Sequence, residues 1–260
     1  MDNYAALEWQ WQMGATEFIG AEPYDWMQDI LPVIVPPPVM QNVTQPLAAL
    51  VPSENDINLS AVDNLSALRD ALQNFDGLAI KRTATHMVFG EGAQKPRVVV
   101  VGEAPGADED RQGRPFVGVS GQLLDKMLGA INLSRETNAY ITNVINWRPP
   151  GNRSPTPQEI AISLPFLQKH IEILQPEFLL VVGGVSAKAL FNIEQGITRI
   201  RGKWMDYELT GGKKIPALIT FHPAYLLRAP AQKALVWQDL QSLHARLGAP
   251  PNSENATEKN

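Results

Sequence analysis

Residues 98–122 run VVVVGEAPGADEDRQGRPFVGVSGQ. Four consecutive valines, Val98–Val101, are too short for a helix, and their β-branched side chains suit a parallel strand buried on both faces. The run breaks at Gly102, and Gly102-Glu103-Ala104-Pro105-Gly106 reads as a tight turn whose glycines let a ligand approach the main chain. Carboxylates follow at Glu103, Asp108, Glu109 and Asp110. Arg111 and Arg114 flank the loop, and Phe116 offers an aromatic face. Open α/β sheets place their sites in loops at the carboxyl ends of parallel strands, which is where this loop would lie.

The same alternation extends outward. Ahead of the strand, Leu65–Phe75 fits a helix with Leu68, Leu72 and Phe75 on one side. After the loop, a helix opening at Ser120 or Gly121 and reaching about Ile131 turns Leu124, Met127 and Leu128 inward. Ala139–Val144 reads as a second strand, ending at Asn143. Thr156-Pro157-Gln158-Glu159 is a helix start with a Thr cap, Pro at the first position and Glu at the third; that helix runs to about Leu174. Phe178–Val182 is a third strand, followed by a helix over Ser186–Phe191. Ala217–Phe221 is a fourth strand, leading into His222-Pro223. A last helix starts at Pro230, carries Val236, Leu240, Leu243 and Leu247 at helical spacing, and stops at Gly248. Alternating strands and helices predict an α/β class with a mainly parallel central sheet and helices on both faces.

Three regions are expected. Residues 1–63 form an acidic, proline-rich extension, with a short helix over 4–19 and seven prolines within 23–52 that read as a linker. Residues 64–248 form the folded domain, and 249–260 a frayed tail. Charge divides along the same lines. Residues 1–68 hold nine Asp/Glu and no Lys/Arg, a net of −9; residues 69–250 hold 21 Lys/Arg and 16 Asp/Glu, a net of +5; the last ten residues contribute −1, which completes the overall −5. A basic body is compatible with a phosphate backbone as partner. No run approaches the roughly 18–20 apolar residues of a membrane span, and no signal peptide is evident. Cysteine is absent, which excludes disulfides, thiolate catalysis and cysteine-ligated clusters. The expected setting is the cytoplasm.

The chemistry lies in three loops that follow three strands: Gly102–Gly106, Asn143 with RPPGNR at 148–153, and HPAYLLR at 222–228. In a parallel sheet all three reach the same edge. Taken singly, these residues have blander readings: Glu103 satisfying loop amides, Phe116 in the core, Asn143 turning a strand end, His222 as a loop histidine. Taken together, GEAPGADEDRQGRPFVG, ITNV-x-x-RPPGNR and HPAYLLR resemble the family-4 uracil-DNA glycosylases over roughly residues 66–247. The resemblance implies a three-layer α/β/α domain that hydrolyses the N-glycosidic bond of uracil in single- or double-stranded DNA and leaves an abasic site.

Each matched residue then has a role with a physical reason. A base inside a duplex must be extruded before its glycosidic bond can be reached. Phe116 supplies a stacking face. The Asn143 amide, with one donor and one acceptor, suits uracil O4 and N3–H, whereas cytosine presents the reverse. Gly102 and the backbone at Ala104 line the base edge. His222 donates to uracil O2 as charge develops on the leaving base. Glu103, with Glu109 second, handles the water attacking C1′; the loop aspartate of a related family matches Ala104. Arg148 and Arg153 are expected on phosphates, and Leu226, Leu227 and Arg228 at the gap left by the extruded base.

One departure is plain. Members of the resembled family carry four cysteines on a [4Fe–4S] cluster, and here those positions are Phe75, Leu78, Trp147 and Ser163. The expectation is that no cofactor is bound and that these residues pack as an apolar plug. The RPPGNR loop has no histidine for covalent attachment to DNA, and no motif places a lysine for lyase chemistry. A monomer, nucleoid-associated when on DNA, completes the reading. Its alternatives are a degenerate relative that binds DNA or a damage site without cleaving, and a glycosylase for another deaminated base.

Overall fold

A computed structural model describes residues 59–248. The readings for 1–58, including the helix over 4–19 and the linker, and for 249–260 lie outside the described residues. Six strands form one sheet: β1 (Glu91–Gly92), β2 (Val98–Gly102), β3 (Ala139–Asn143), β4 (Phe178–Val182), β5 (Trp204–Glu208) and β6 (Lys214–Thr220). Their spatial order is β1-β3-β2-β4-β6-β5. The four central strands are parallel, and the two edge strands run antiparallel to their neighbours. Eight α-helices lie among the described residues: α1 (Leu65–Asn74), α2 (Ala107–Gln112), α3 (Val119–Gly129), α4 (Pro157–Leu174), α5 (Gly184–Phe191), α6 (Ile197–Ile200), α7 (Pro223–Arg228) and α8 (Lys233–Gly248).

The period-two alternation of strand side chains builds the three layers. Val99 and Val101 of β2, Leu179 and Val181 of β4, and Ala217 and Ile219 of β6 share one core cluster with Leu68 and Leu72 of α1 and with Phe166, Leu167 and Ile171 of α4. Val98, Val100, Leu180, Val182 and Leu218 point the other way. They join Leu124 and Leu128 of α3, Leu226 of α7, and Val236, Leu240 and Leu243 of α8. Burying each branched side chain contributes about 1.5–3 kcal/mol, so the central strands hold helices on both sides. The fold class expected from the sequence is the one observed.

Local signals explain the helix ends. Asn64 caps α1 by accepting the Ala67 N–H at 2.9 Å. Thr156 and Glu159 form the expected capping box at α4, with Pro157 opening the helix. Leu59 and Val62, ahead of the expected boundary at 64, pack against the first cluster. The last helix differs slightly: Pro230–Gln232 is a 3₁₀ turn, and α8 begins at Lys233. Two strands and three helices were not foreseen. β1 is two residues long, β5 forms an edge hairpin with β6, α2 and α7 lie in stretches read as loops, and α6 is a single turn.

Candidate active site

The register of the parallel strands places the three loops side by side. Gly102 pairs with Asn143 across β2 and β3, and Val182 with Thr220 across β4 and β6. The β2–β3 ladder continues past its ends: Val144 and Ile145 donate to the carbonyls of Gly102 and Glu103, each at 3.0 Å. Glu103 is thereby fixed beside the residues that follow Asn143. On the other side Gly183 donates to the Thr220 carbonyl, two residues before His222.

Glu103, Ala104, Glu109, Phe116, Asn143 and His222 line one cavity of about 510 Å³. Carboxylate, amide, imidazole and aromatic ring, distant in sequence, therefore meet. Phe116 is buried with φ 51°, a left-handed conformation unusual for an aromatic residue. Its ring lies 5.5 Å from the His222 ring, tilted by 31°. Glycine is required on both sides of it: a Cβ on Gly102 would meet the Asn143 amide oxygen and come within 2.6 Å of the Phe116 ring, and a Cβ on Gly121 would overlap the Phe116 carbonyl.

Asn143 is 2 % exposed, and its Oδ1 has no hydrogen-bond partner. A buried acceptor left unpaired costs about 1–3 kcal/mol, so such an atom in a cavity wall is poised for a ligand donor. His222 caps α7. Its Nδ1 accepts the Ala224 N–H at 3.2 Å, so the neutral ring carries its proton on Nε2. Burial, then the nearby Arg228 charge, lowers this imidazole to about 4, against a smaller opposing effect of Glu109. The ring is therefore neutral at physiological pH and offers an N–H donor rather than a cation.

The two carboxylates differ sharply. Glu109 Oε1 accepts the N–H groups of Val117 at 2.8 Å and Gly118 at 2.9 Å, and Oε2 accepts that of Gly106 at 3.1 Å. The blander reading offered for Glu103, a carboxylate satisfying loop amides, describes Glu109. Glu103 is half-buried. Burial raises its carboxyl above the ordinary range, and the Ser154 side chain opposes that shift.

At the rim, Arg153 and Arg228 line the cavity. Arg153 grips Glu159 through two bonds of 2.8 and 2.7 Å, and Arg148 donates to Asn152 at 2.7 Å. The expectation for Leu226 needs correction. On α7 it faces inward to the second core cluster at 0 % exposure, where it cannot enter DNA, while Leu227 beside it is 42 % exposed. Sequence reasoning missed Ser120, Pro149, Asn152 and Ser154 as neighbours of the site. The last three lie in or beside the RPPGNR loop, whose position in the sequence was the available signal.

The residues standing where the resemblance implies cluster cysteines do not fit such a group. Leu78 and Trp147 are buried in the first core cluster, and Phe75 packs against it. The Phe75 ring lies 5.2 Å from that of Phe166 and closes over Gly77, which has no room for a Cβ. Ser163 is buried, with its hydroxyl unpartnered. Three apolar side chains and one hydroxyl supply no thiolate, so the donor chemistry is absent. Among the described residues no group of three or more His, Asp or Glu could hold a metal ion, and no helix is long and apolar enough to cross a membrane.

Comparison with known proteins gives the geometry a lineage. Residues 89–241 match the model of the uracil DNA glycosylase superfamily. The chain is 38 % identical over 181 residues to the type-4 uracil-DNA glycosylase of Pyrobaculum aerophilum, covering 68 % of this chain and 91 % of that one. It is 41 % identical over 160 residues to the type-4 enzyme of Thermotoga maritima, covering 60 % of this chain and 81 % of that one. Against the type-4 enzyme of Saccharolobus solfataricus it is 34 % identical over 195 residues, covering 73 % and 89 %.

Proposed function

The chain belongs to the uracil DNA glycosylase superfamily, and from that premise we propose that it excises uracil from DNA by hydrolysing the bond between C1′ and N1, leaving an abasic site. The extruded base stacks on Phe116. Asn143 Oδ1 accepts uracil N3–H while its amide N–H donates to O4, a pairing that cytosine reverses. Ala104 lines the base edge, and Gly102 backs the Asn143 amide and the Phe116 ring. As the C1′–N1 bond breaks, its electron pair leaves with the base, and the neutral His222 donates from Nε2 to O2 where the charge collects. A water held by Glu103 adds its oxygen to C1′ and passes its proton to that carboxylate. Glu109, with both oxygens engaged by amides, holds the loop rather than the water.

The observation that carries this reading is the buried, unpartnered Asn143 amide oxygen in the same cavity as Phe116, His222 and Glu103. Arg148, Arg153 and Arg228 serve the phosphates, Arg153 exchanging Glu159 for DNA, and Leu227 fills the space vacated by the base. The catalytic domain, expected over 64–248, works without an iron–sulfur cluster, its place taken by the packing of Phe75, Leu78 and Trp147. The same reading makes the protein a monomer acting in the cytoplasm on nucleoid DNA.

The test is a labelled oligonucleotide with one uracil, in single- and double-stranded form, followed by alkali. Scission that is lost in Asn143→Asp and His222→Ala supports the enzyme. Tight binding without scission would instead identify a non-catalytic recognition module, and scission only at another deaminated base a different specificity. Asn143→Asp should also weaken discrimination against cytosine.

A further inference from the structure

We propose that Arg135 is a positioning residue that holds Phe116 in its stacking conformation. The inference rests on the role given to Phe116 above and goes beyond it to a side chain outside the cavity. Arg135 is 8 % exposed. Its Nη1 donates to the Pro115 carbonyl and its Nη2 to the Phe116 carbonyl, both at 3.0 Å. Its Nε and Nη2 also donate to Asp125 Oδ1 at 3.0 and 2.7 Å. Glu91 stands 3.8 Å from Nη1 and is itself held by Arg114 through bonds of 2.8 and 2.6 Å. A chain of opposite charges thus runs from the edge strand to the peptide groups on either side of the aromatic residue.

Those peptide groups need a clamp. Successive carbonyls of an extended chain point in opposite directions; with Phe116 at φ 51° both come within reach of one guanidinium. The left-handed conformation is unfavourable for an aromatic residue, and releasing it would turn the ring away from the plane it presents beside His222. The planar fork of an arginine can bridge two fixed acceptors, which an ammonium cannot do in the same way. Burying a charge is costly, and an apolar residue of similar volume would fill the space without that cost. What the guanidinium adds is the geometry of residues 115–116.

The experiment is a double-mutant cycle on the uracil oligonucleotide, with kcat and KM read separately for wild type, Arg135→Gln, Phe116→Leu and the double variant. A clamp acting through the ring predicts that Arg135→Gln lowers kcat/KM by about tenfold in the wild-type background and by less than about twofold once Phe116 is leucine. Arg135→Lys should lose an intermediate amount. Equal losses in both backgrounds would overturn the proposal, because Arg135 would then act through general stability; no loss in either background would overturn it as well. Full activity of Phe116→Leu alone would instead sink the stacking role of Phe116, a separate outcome. Thermal unfolding establishes that each variant is folded at the assay temperature, and if Arg135→Gln is not, Arg135→Lys takes its place in the cycle.

Discussion

Two side chains in the cavity set the pH response, and their shifts separate their roles. His222 is lowered to about 4, so it stays neutral as pH falls through 6.5 and contributes no ionisation there. Glu103 is raised by burial; it must be ionised to take a proton, so activity should fall on acidification with a midpoint above the ordinary carboxylate range. A pH–kcat profile should therefore show one acid limb, absent from the residual activity of Glu103→Gln and retained in Glu109→Gln. An imidazole limb near pH 6.5 would contradict the assignment of His222 as a neutral donor. Replacing His222 by Ala should cost on the order of 10²–10³ in kcat. Gly102→Ala tests the wall behind the base. Its Cβ would press on both the Asn143 amide and the Phe116 ring, so excision should be lost while the circular dichroism spectrum remains that of a folded protein. The amide, imidazole and aromatic residues were legible in the sequence because each closes a recognisable loop. Arg135 was not, because a charged residue between Ser134 and Glu136 carries no mark that distinguishes a buried clamp from a solvated side chain. The division of labour between Glu103 and Glu109 was also hidden, since it depends on which carboxylate the amides of residues 106, 117 and 118 reach.

The secondary-structure elements show the same contrast between strong and weak signals. β2, β3 and β4 were readable because central parallel strands are apolar on both faces. β1 has two residues and no pattern, and β5, Trp204–Glu208, is an edge strand with only Tyr207 buried, so neither announces itself. α2, ADEDRQ, is polar after Ala107 and is held by the loop contacts of Glu109 and Asp110, the latter accepting the N–H groups of Thr85 and His86 at 2.7 and 3.1 Å. The helix-end chemistry at Asn64 and Thr156 was legible because capping depends on few, local atoms. Packing between α1, α4 and the segment after β3 is where this chain departs from the cysteine pattern of the family it resembles. If Phe75, Leu78 and Trp147 carry the stability there, Trp147→Ala should cost about 3–5 kcal/mol and Leu78→Ala about 2–5 kcal/mol, read from denaturant unfolding. Metal chelators should leave the wild-type midpoint unchanged, and stoichiometric iron in the purified protein would refute the plug.

For the molecule as a whole, net charge misleads and buried titrating groups inform. The overall −5 conceals a body of +5 behind an acidic leader, so the charge available to DNA appears only when the chain is read in sections. Stability against pH depends on two rings that fold away neutral. His170, buried beneath Tyr140 and stacked on Phe89 at 4.4 Å, is lowered to about 3, chiefly by burial; His222 is lowered to about 4. In the unfolded chain both take protons near 6.5. As pH falls below 6.5 the unfolded state gains protons that the folded state refuses, so the stability these rings contribute is complete above 6.5 and is lost progressively toward 4 and then 3. Glu91 and Glu159, lowered by their arginines, act in the same direction only at lower pH, near and below the carboxylate range, while Glu103 acts in the opposite one. Comparison with a variant isolates the share of His170. His170→Gln should start with a lower thermal midpoint at pH 7.5, because it loses the stacking and the 3.1 Å contact with the Tyr140 hydroxyl. Between pH 6.5 and 4.5 its midpoint should then fall less steeply than that of the wild type. Parallel curves would mean that His170 takes its proton as readily in the folded protein as in the unfolded chain, and the acid sensitivity would have to lie with His222 and the carboxylates.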